Sequence, residues 1–105
     1  MFSGDDLITE APVYTEADQG TDVRFNCLVT VPEHLNAESL RVKWKHNGHY
    51  IHPHNRSDKY TDEDKGQILL IKKVEGKDAG VYTCIVHIGI NRDLRNAKLF
   101  VRGKS

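Results

Sequence analysis

Between residues 21 and 30 apolar and polar side chains alternate. Val23, Phe25, Cys27 and Val29 fall on one face of an extended chain, and Arg24, Asn26 and Thr30 on the other. Successive strand residues point to opposite faces, so this period of two marks a sheet with one buried and one wet side. The same rhythm returns over 39–46, with Leu40, Val42 and Trp44 inward and Arg41, Lys43 and Lys45 outward. It returns again over 67–72, where Leu69 and Ile71 point in and Val74 follows at a corner, and over about 94–102, where Ala97, Leu99 and Val101 point in. Residues 7–18 alternate more weakly around Val13 and Thr15. Pro12 marks that stretch as an edge strand, because a missing amide donor is tolerated only where no partner needs it. Asn47-Gly48 is a strong hairpin signal and predicts a short strand over 49–51. Another short strand is expected at 59–61, followed by the acidic turn 62–66, while 31–38 and 53–58 are polar connections. No helical period, repeat or low-complexity segment interrupts this pattern, so the chain is all-β and antiparallel.

One segment organises the rest. In Lys77-Asp78-Ala79-Gly80-Val81-Tyr82-Thr83-Cys84 a turn suited to Asp and Gly feeds a strand over 80 to about 87. Tyr82 and Cys84, two apart, face inward together. Residues 88–91 are expected to turn the chain into the last strand. Cys27 lies upstream, and the only tryptophan, Trp44, falls between the two cysteines. Cys, then Trp, then Asp-x-Gly-x-Tyr-x-Cys resembles the immunoglobulin superfamily over nearly the whole chain, and the 105 residues suit one such domain. The implied fold is an antiparallel two-sheet Greek-key sandwich. The run Leu69-x-Ile71-x-x-Val74 with Asp78, Gly80, Tyr82 and Cys84, and the ending Ala97-x-Leu99-x-Val101, resemble the I-set branch. Seventeen positions separate Cys27 from Trp44, so the connection after the first cysteine strand is long. With Asn47-Gly48 and the Val101-Arg102-Gly103 ending, it is similar to the sixth immunoglobulin repeat of contactin- and neuroglian-type neural adhesion molecules.

The resemblance implies a domain over residues 7–103. Residues 1–6, polar and acidic, read as a disordered tail or an expression leftover, and 104–105 as the C-terminal end. It also implies roles: Trp44 packed on a Cys27–Cys84 disulfide, a Tyr82 hydroxyl bonded to backbone, and Asp78 paired with a basic residue, Lys59 rather than Arg56. A lysine lacks the bidentate fork of arginine, so that lock should be weaker. Two cysteines allow one intramolecular bond, and closing so long a loop is worth about 4 kcal/mol in the chain-entropy account. Such a bond implies an oxidising compartment; two buried thiols in a cytosolic repeat of a giant muscle protein are the alternative.

Zero net charge gives no general polyanion-binding signature, and no apolar run approaches the ~20 residues that span a bilayer. Neither nucleic acid nor direct membrane insertion is expected. There is no nucleophile elbow, phosphate loop or acid–base constellation, so neither catalysis nor a cofactor is expected. His46, His49, His52 and His54 crowd one region, but alternation puts His46 and His49 on different faces and no cysteine completes a metal set. Asn55-Arg56-Ser57 is an N-glycosylation acceptor triplet, which makes Asn55 a glycan candidate.

The expected function is a non-catalytic binding or spacer module of a larger extracellular adhesion or receptor protein. Its partners would be other proteins, by homophilic or heterophilic adhesion, and neighbouring domains of the same chain. The rivals are the intracellular muscle repeat and a ligand-binding repeat of a receptor kinase or phosphatase. The expected contact face carries Lys43, Lys45, Ile85, Lys98 and Phe100, with Ile88 and Ile90 at the adjoining turn.

Overall fold

Asn47 and Gly48 both take left-handed backbone angles, φ 49° and 87°. Two such residues make the tight mirror-image turn whose twist matches that of antiparallel strands, and Asn-Gly is the pair that adopts it most readily. The hairpin they close joins β5 (Leu40–His46) to β6 (His49–Tyr50) in the computed structural model, which describes residues 7–52 and 58–103. The preceding strands are β1 (Ile8–Glu10), β2 (Thr15–Asp18), β3 (Val23–Asn26) and β4 (Leu28–Val29). After β6 come β7 (Tyr60–Glu63), β8 (Ile68–Ile71), β9 (Gly80–Ile88) and β10 (Asn91–Arg102). Five strands form one sheet in the order β2-β10-β9-β5-β6. On the other side stand the three-stranded β3-β8-β7 sheet and the β1–β4 pair.

The expected edge strand over 7–18 is two strands in two sheets. β1 pairs antiparallel with β4, and β2 pairs parallel with β10. The buried Pro12 sits between them, and the ladder breaks where a residue without an N–H would have to donate. The strand expected over 21–30 is likewise divided at Cys27, whose N–H is taken by the Gln67 carbonyl. The turn between β9 and β10 is shorter than expected. Ile88 pairs with Asn91, leaving only Gly89 and Ile90 in the loop.

Between the sheets the inward residues meet as the alternation requires. Cys27 and Cys84 are joined by a disulfide with Cα atoms 6.5 Å apart, and Trp44 lies directly opposite Cys84 in the β5–β9 ladder. Phe25 packs between Trp44 and Tyr82, with ring centroids 6.2 and 5.2 Å away. The Trp44 Nε1–H donates to the Gly66 carbonyl at 2.8 Å, which satisfies the one polar atom of a buried indole. Gly66 holds φ 90°, and a Cβ there would stand 2.9 Å from the Val42 carbonyl oxygen, so the turn after β7 reaches β5 only because that residue has no side chain.

Asp78, buried in a short 3-10 turn (Gly76–Asp78), ties three segments together. Its carbonyl accepts the Tyr82 hydroxyl at 2.6 Å, while its carboxylate accepts the Glu75 N–H at 2.7 Å and pairs with Lys59 Nζ at 2.6 Å. Lys59 also donates to the Lys73 carbonyl at 3.0 Å. Arg56, the other basic candidate for this pairing, lies outside the described residues. Burial, foremost, and the neighbouring Tyr60 and Asp78 push the Tyr82 phenol far above its ordinary value, so it stays a neutral donor.

Asp93 holds the N-terminal strand. Its carboxylate accepts the N–H groups of Leu7 and Ile8 at 2.9 and 3.0 Å and pairs with Arg95. Burial alone would raise this carboxyl, but the Ile8 and Leu7 amides and the Arg95 guanidinium outweigh it and hold it below its usual range. The sequence reading gave Asp93 no role. A lone Asp on the inward face of β10 was the available signal, since a buried carboxylate needs donors.

Candidate binding face

The outward side of the five-stranded sheet is a grid fixed by register. Arg41, His87 and Arg92 form one cross-strand row, Lys43, Ile85 and Leu94 the next, and Lys45, Thr83 and Asn96 a third. Tyr50 stands opposite Lys45 on β6, and the ammonium groups of Lys43 and Lys45 lie 5.7 and 4.6 Å from its ring centroid. Lys98 lies opposite Val81, and Phe100, half exposed, follows on β10 beside Glu16 of β2.

The expected contact set divides on this grid. Lys43, Lys45, Lys98 and Phe100 face outward, while Ile85 and Ile88 are not available to a partner as they stand. Ile88 is 1% exposed, because it is the last inward residue of β9 and not part of the turn. Ile85 does occupy the outer face but is only 3% exposed, flanked in register by Lys43 and Leu94. Ile90, at the turn, is fully exposed. It stands ten positions from Phe100, about 33 Å along an extended strand, so the two are not one patch. The sequence reading missed Tyr50, Arg92 and Leu94. A glycine beginning a two-residue loop at Gly89-Ile90 was the signal that would have carried β10 back to Asn91.

His46 and His49 do not lie on different faces as alternation predicts. They are cross-strand partners in the β5–β6 hairpin, so they share a face instead of lying on different ones. With His52, Tyr50, Ile51 and Tyr60 they line an open cleft. His46 stacks on Tyr82 at 4.4 Å and its Nε2 meets the Ala79 carbonyl at 2.8 Å, an arrangement in which that nitrogen donates. Among the described residues no group of three His, Cys, Asp or Glu side chains is placed to hold a metal ion. His54 and the glycan candidate Asn55 lie outside the described residues, as do 1–6 and 104–105.

Residues 7–101 match the family described as the immunoglobulin I-set domain. The chain is an I-set immunoglobulin domain. It is 32% identical over 96 residues to the rat neural cell adhesion molecule L1, an alignment covering 91% of this chain and 7% of that protein. It is 30% identical over 105 residues to Drosophila melanogaster titin, covering 96% of this chain and 1% of titin. Among solved structures, the Ig-like domain of human leucine-rich repeat-containing protein 4 superposes with a TM-score of 0.78 at 24% identity, covering 100% of this chain and 95% of that one. The I-set domain therefore spans only a small part of the curated relatives it matches. Its relatives include both a neural cell adhesion molecule and titin.

Proposed function

We propose that this I-set domain is a non-catalytic binding or spacer module of a larger extracellular adhesion or receptor protein. The observation that carries the reading is the disulfide between Cys27 and Cys84, since such bonds persist in secreted and surface proteins and are rare in reducing cytosol. The likeness to the neural adhesion molecule L1 over nearly the whole domain supports the same reading. Binding would use the outer face of the five-stranded sheet, where Lys43, Lys45, Lys98 and Phe100 are presented, with neighbouring domains attached at the two ends of the sandwich. An Asn55 glycan belongs to this reading too.

The second reading, an intracellular repeat, rests on the likeness to titin. Thiol titration of the chain isolated from its native source under alkylating conditions separates the two. No reactive thiol after unfolding without reductant is the expected result. Two free thiols after unfolding would overturn the extracellular reading in favour of the titin-like one.

A further inference from the structure

The outer sheet face is unevenly charged in a chain whose net charge is zero. Across β5, β9 and β10, residues 41–45, 81–87 and 92–98 present Arg41, Lys43, Lys45, Arg92 and Lys98 outward and no carboxylate. Among the described residues none of these five makes an ion pair. The Arg41 guanidinium is instead held by two backbone carbonyls, of Glu38 at 3.0 Å and Leu40 at 2.8 Å, so it is positioned without being neutralised. Arg41, Lys43 and Lys45 repeat about every 7 Å along β5, and Arg92 lies two strands across, about 10 Å from Arg41. The acidic run Asp62, Glu63 and Asp64 stands across the free edge of β5, where it shares a groove with Arg41 and Lys43 and bounds the face on that side.

We infer that this face binds a linear sulfated polysaccharide, through the cations of β5 and β10. The inference rests on the extracellular reading and names the class of partner for the same face. The exposed apolar side chains of this face are dispersed among the cations. Leu94 and Tyr50 are set apart from Val81 and Phe100 by the Lys45–Thr83–Asn96 row and Lys98, whereas a docking protein draws its affinity from one apolar centre. The centre of this grid is instead Ile85, buried on the outward side, next to Thr83 and Asn96, whose side chains are bonded to each other at 2.7 Å. The Tyr50 ring has two lysine ammonium groups over it. Among the described residues the face offers an array of cations without ion-pair partners, which complements a chain of regularly spaced anions.

The test uses the disulfide-intact chain and a heparin-derived oligosaccharide, with affinity measured at about 0.05 M salt and above. Binding that weakens steeply with salt is expected. Lys43→Gln with Arg92→Gln should lower affinity by about tenfold, through lost ion contacts and counterion release. Lys73→Gln with Lys77→Gln, an equal loss of charge off the face, should leave it unchanged. Arg41→Gln with Lys98→Gln is the second face pair should the first disturb folding. Equal losses from face and off-face pairs, or no binding at the lowest salt, would overturn the inference. Equal competition by polyglutamate or by desulfated heparin would overturn it too, the former in favour of an acidic protein surface. Absence of binding with the thiols oxidised removes only the polysaccharide. Free thiols remove the extracellular reading itself.

Discussion

The Tyr82 hydroxyl donates to the carbonyl of Asp78, four residues earlier, at 2.6 Å. Both residues are buried, and the bond fixes the turn that launches β9 toward Cys84. Tyr82→Phe keeps the ring in the core but leaves that carbonyl without the donor. We expect a loss of roughly 1–2 kcal/mol with the fold retained. A chemical-denaturation midpoint equal to wild type would show that the hydroxyl contributes nothing.

Trp44→Ala should cost more, on the order of 3–5 kcal/mol, because it leaves a large void beside Phe25 and Cys84 and strips the Gly66 carbonyl of its indole donor. The comparison with Tyr82→Phe in the same denaturation experiment ranks packing against a single hydrogen bond. A smaller loss for Trp44→Ala than for Tyr82→Phe would reverse that ranking.

Asp93 supplies a pH-dependent element. Its folded carboxyl sits below its ordinary value, so its contribution is fully present above the unfolded pKa of about 3.9 and is lost as pH falls through the folded value. Asp93→Asn should therefore destabilise the domain at neutral pH by about 1–3 kcal/mol, through weakened bonds to the Leu7 and Ile8 amides. The difference from wild type should shrink as both proteins are taken to acid. Melting curves across that range check it, and a difference independent of pH would assign the effect to something other than the charge.

The glycan expectation concerns Asn55. Secretion from a eukaryotic host should yield a form heavier by one N-glycan, and Asn55→Gln should abolish the shift. An unshifted intact mass from such a host would reject use of the site.

What was legible in the sequence followed from backbone periodicity. Trp44, Tyr82 and Cys84 recur on inward positions of strands, Cys27 keeps the same phase between β3 and β4, and a period of two carries that information with no knowledge of the partner strand. The Asn47-Gly48 turn was legible because few pairs tolerate two left-handed residues. Burial on the outward face was not. Ile85 alternates outward as predicted, yet it is covered, because its exposure depends on which side chains register places beside it, and register depends on turn length. Counting a four-residue turn at 88–91 in place of the observed two-residue loop turned Ile88 from core into a candidate contact. The His46–His49 pairing was misread for a related reason: alternation within one strand does not extend across a hairpin, where opposite residues share a face.

Ile88 and Ile90 mark the boundary between core and solvent at the β9–β10 hairpin. Ile88 and Ile90 are two positions apart and chemically identical, yet one is 1% exposed and the other entirely exposed. Ile88→Asp would bury a carboxylate in the core between the sheets without a donor, and the expected result is a domain largely unfolded at neutral pH. Ile90→Asp places the same group in water at the hairpin tip and should leave the thermal midpoint nearly unchanged. Phe100→Glu, on the half-exposed outer position beside Glu16, should also fold. It adds negative charge to the lower end of a cationic face, so under the proposed adhesion role the contact made through that face should weaken. Unaltered adhesion by folded Phe100→Glu would exclude the Phe100 end, leaving the rows from Arg41 to Asn96 as the place to look. A folded Ile88→Asp domain would instead mean that β9 ends earlier and that the turn is the longer one.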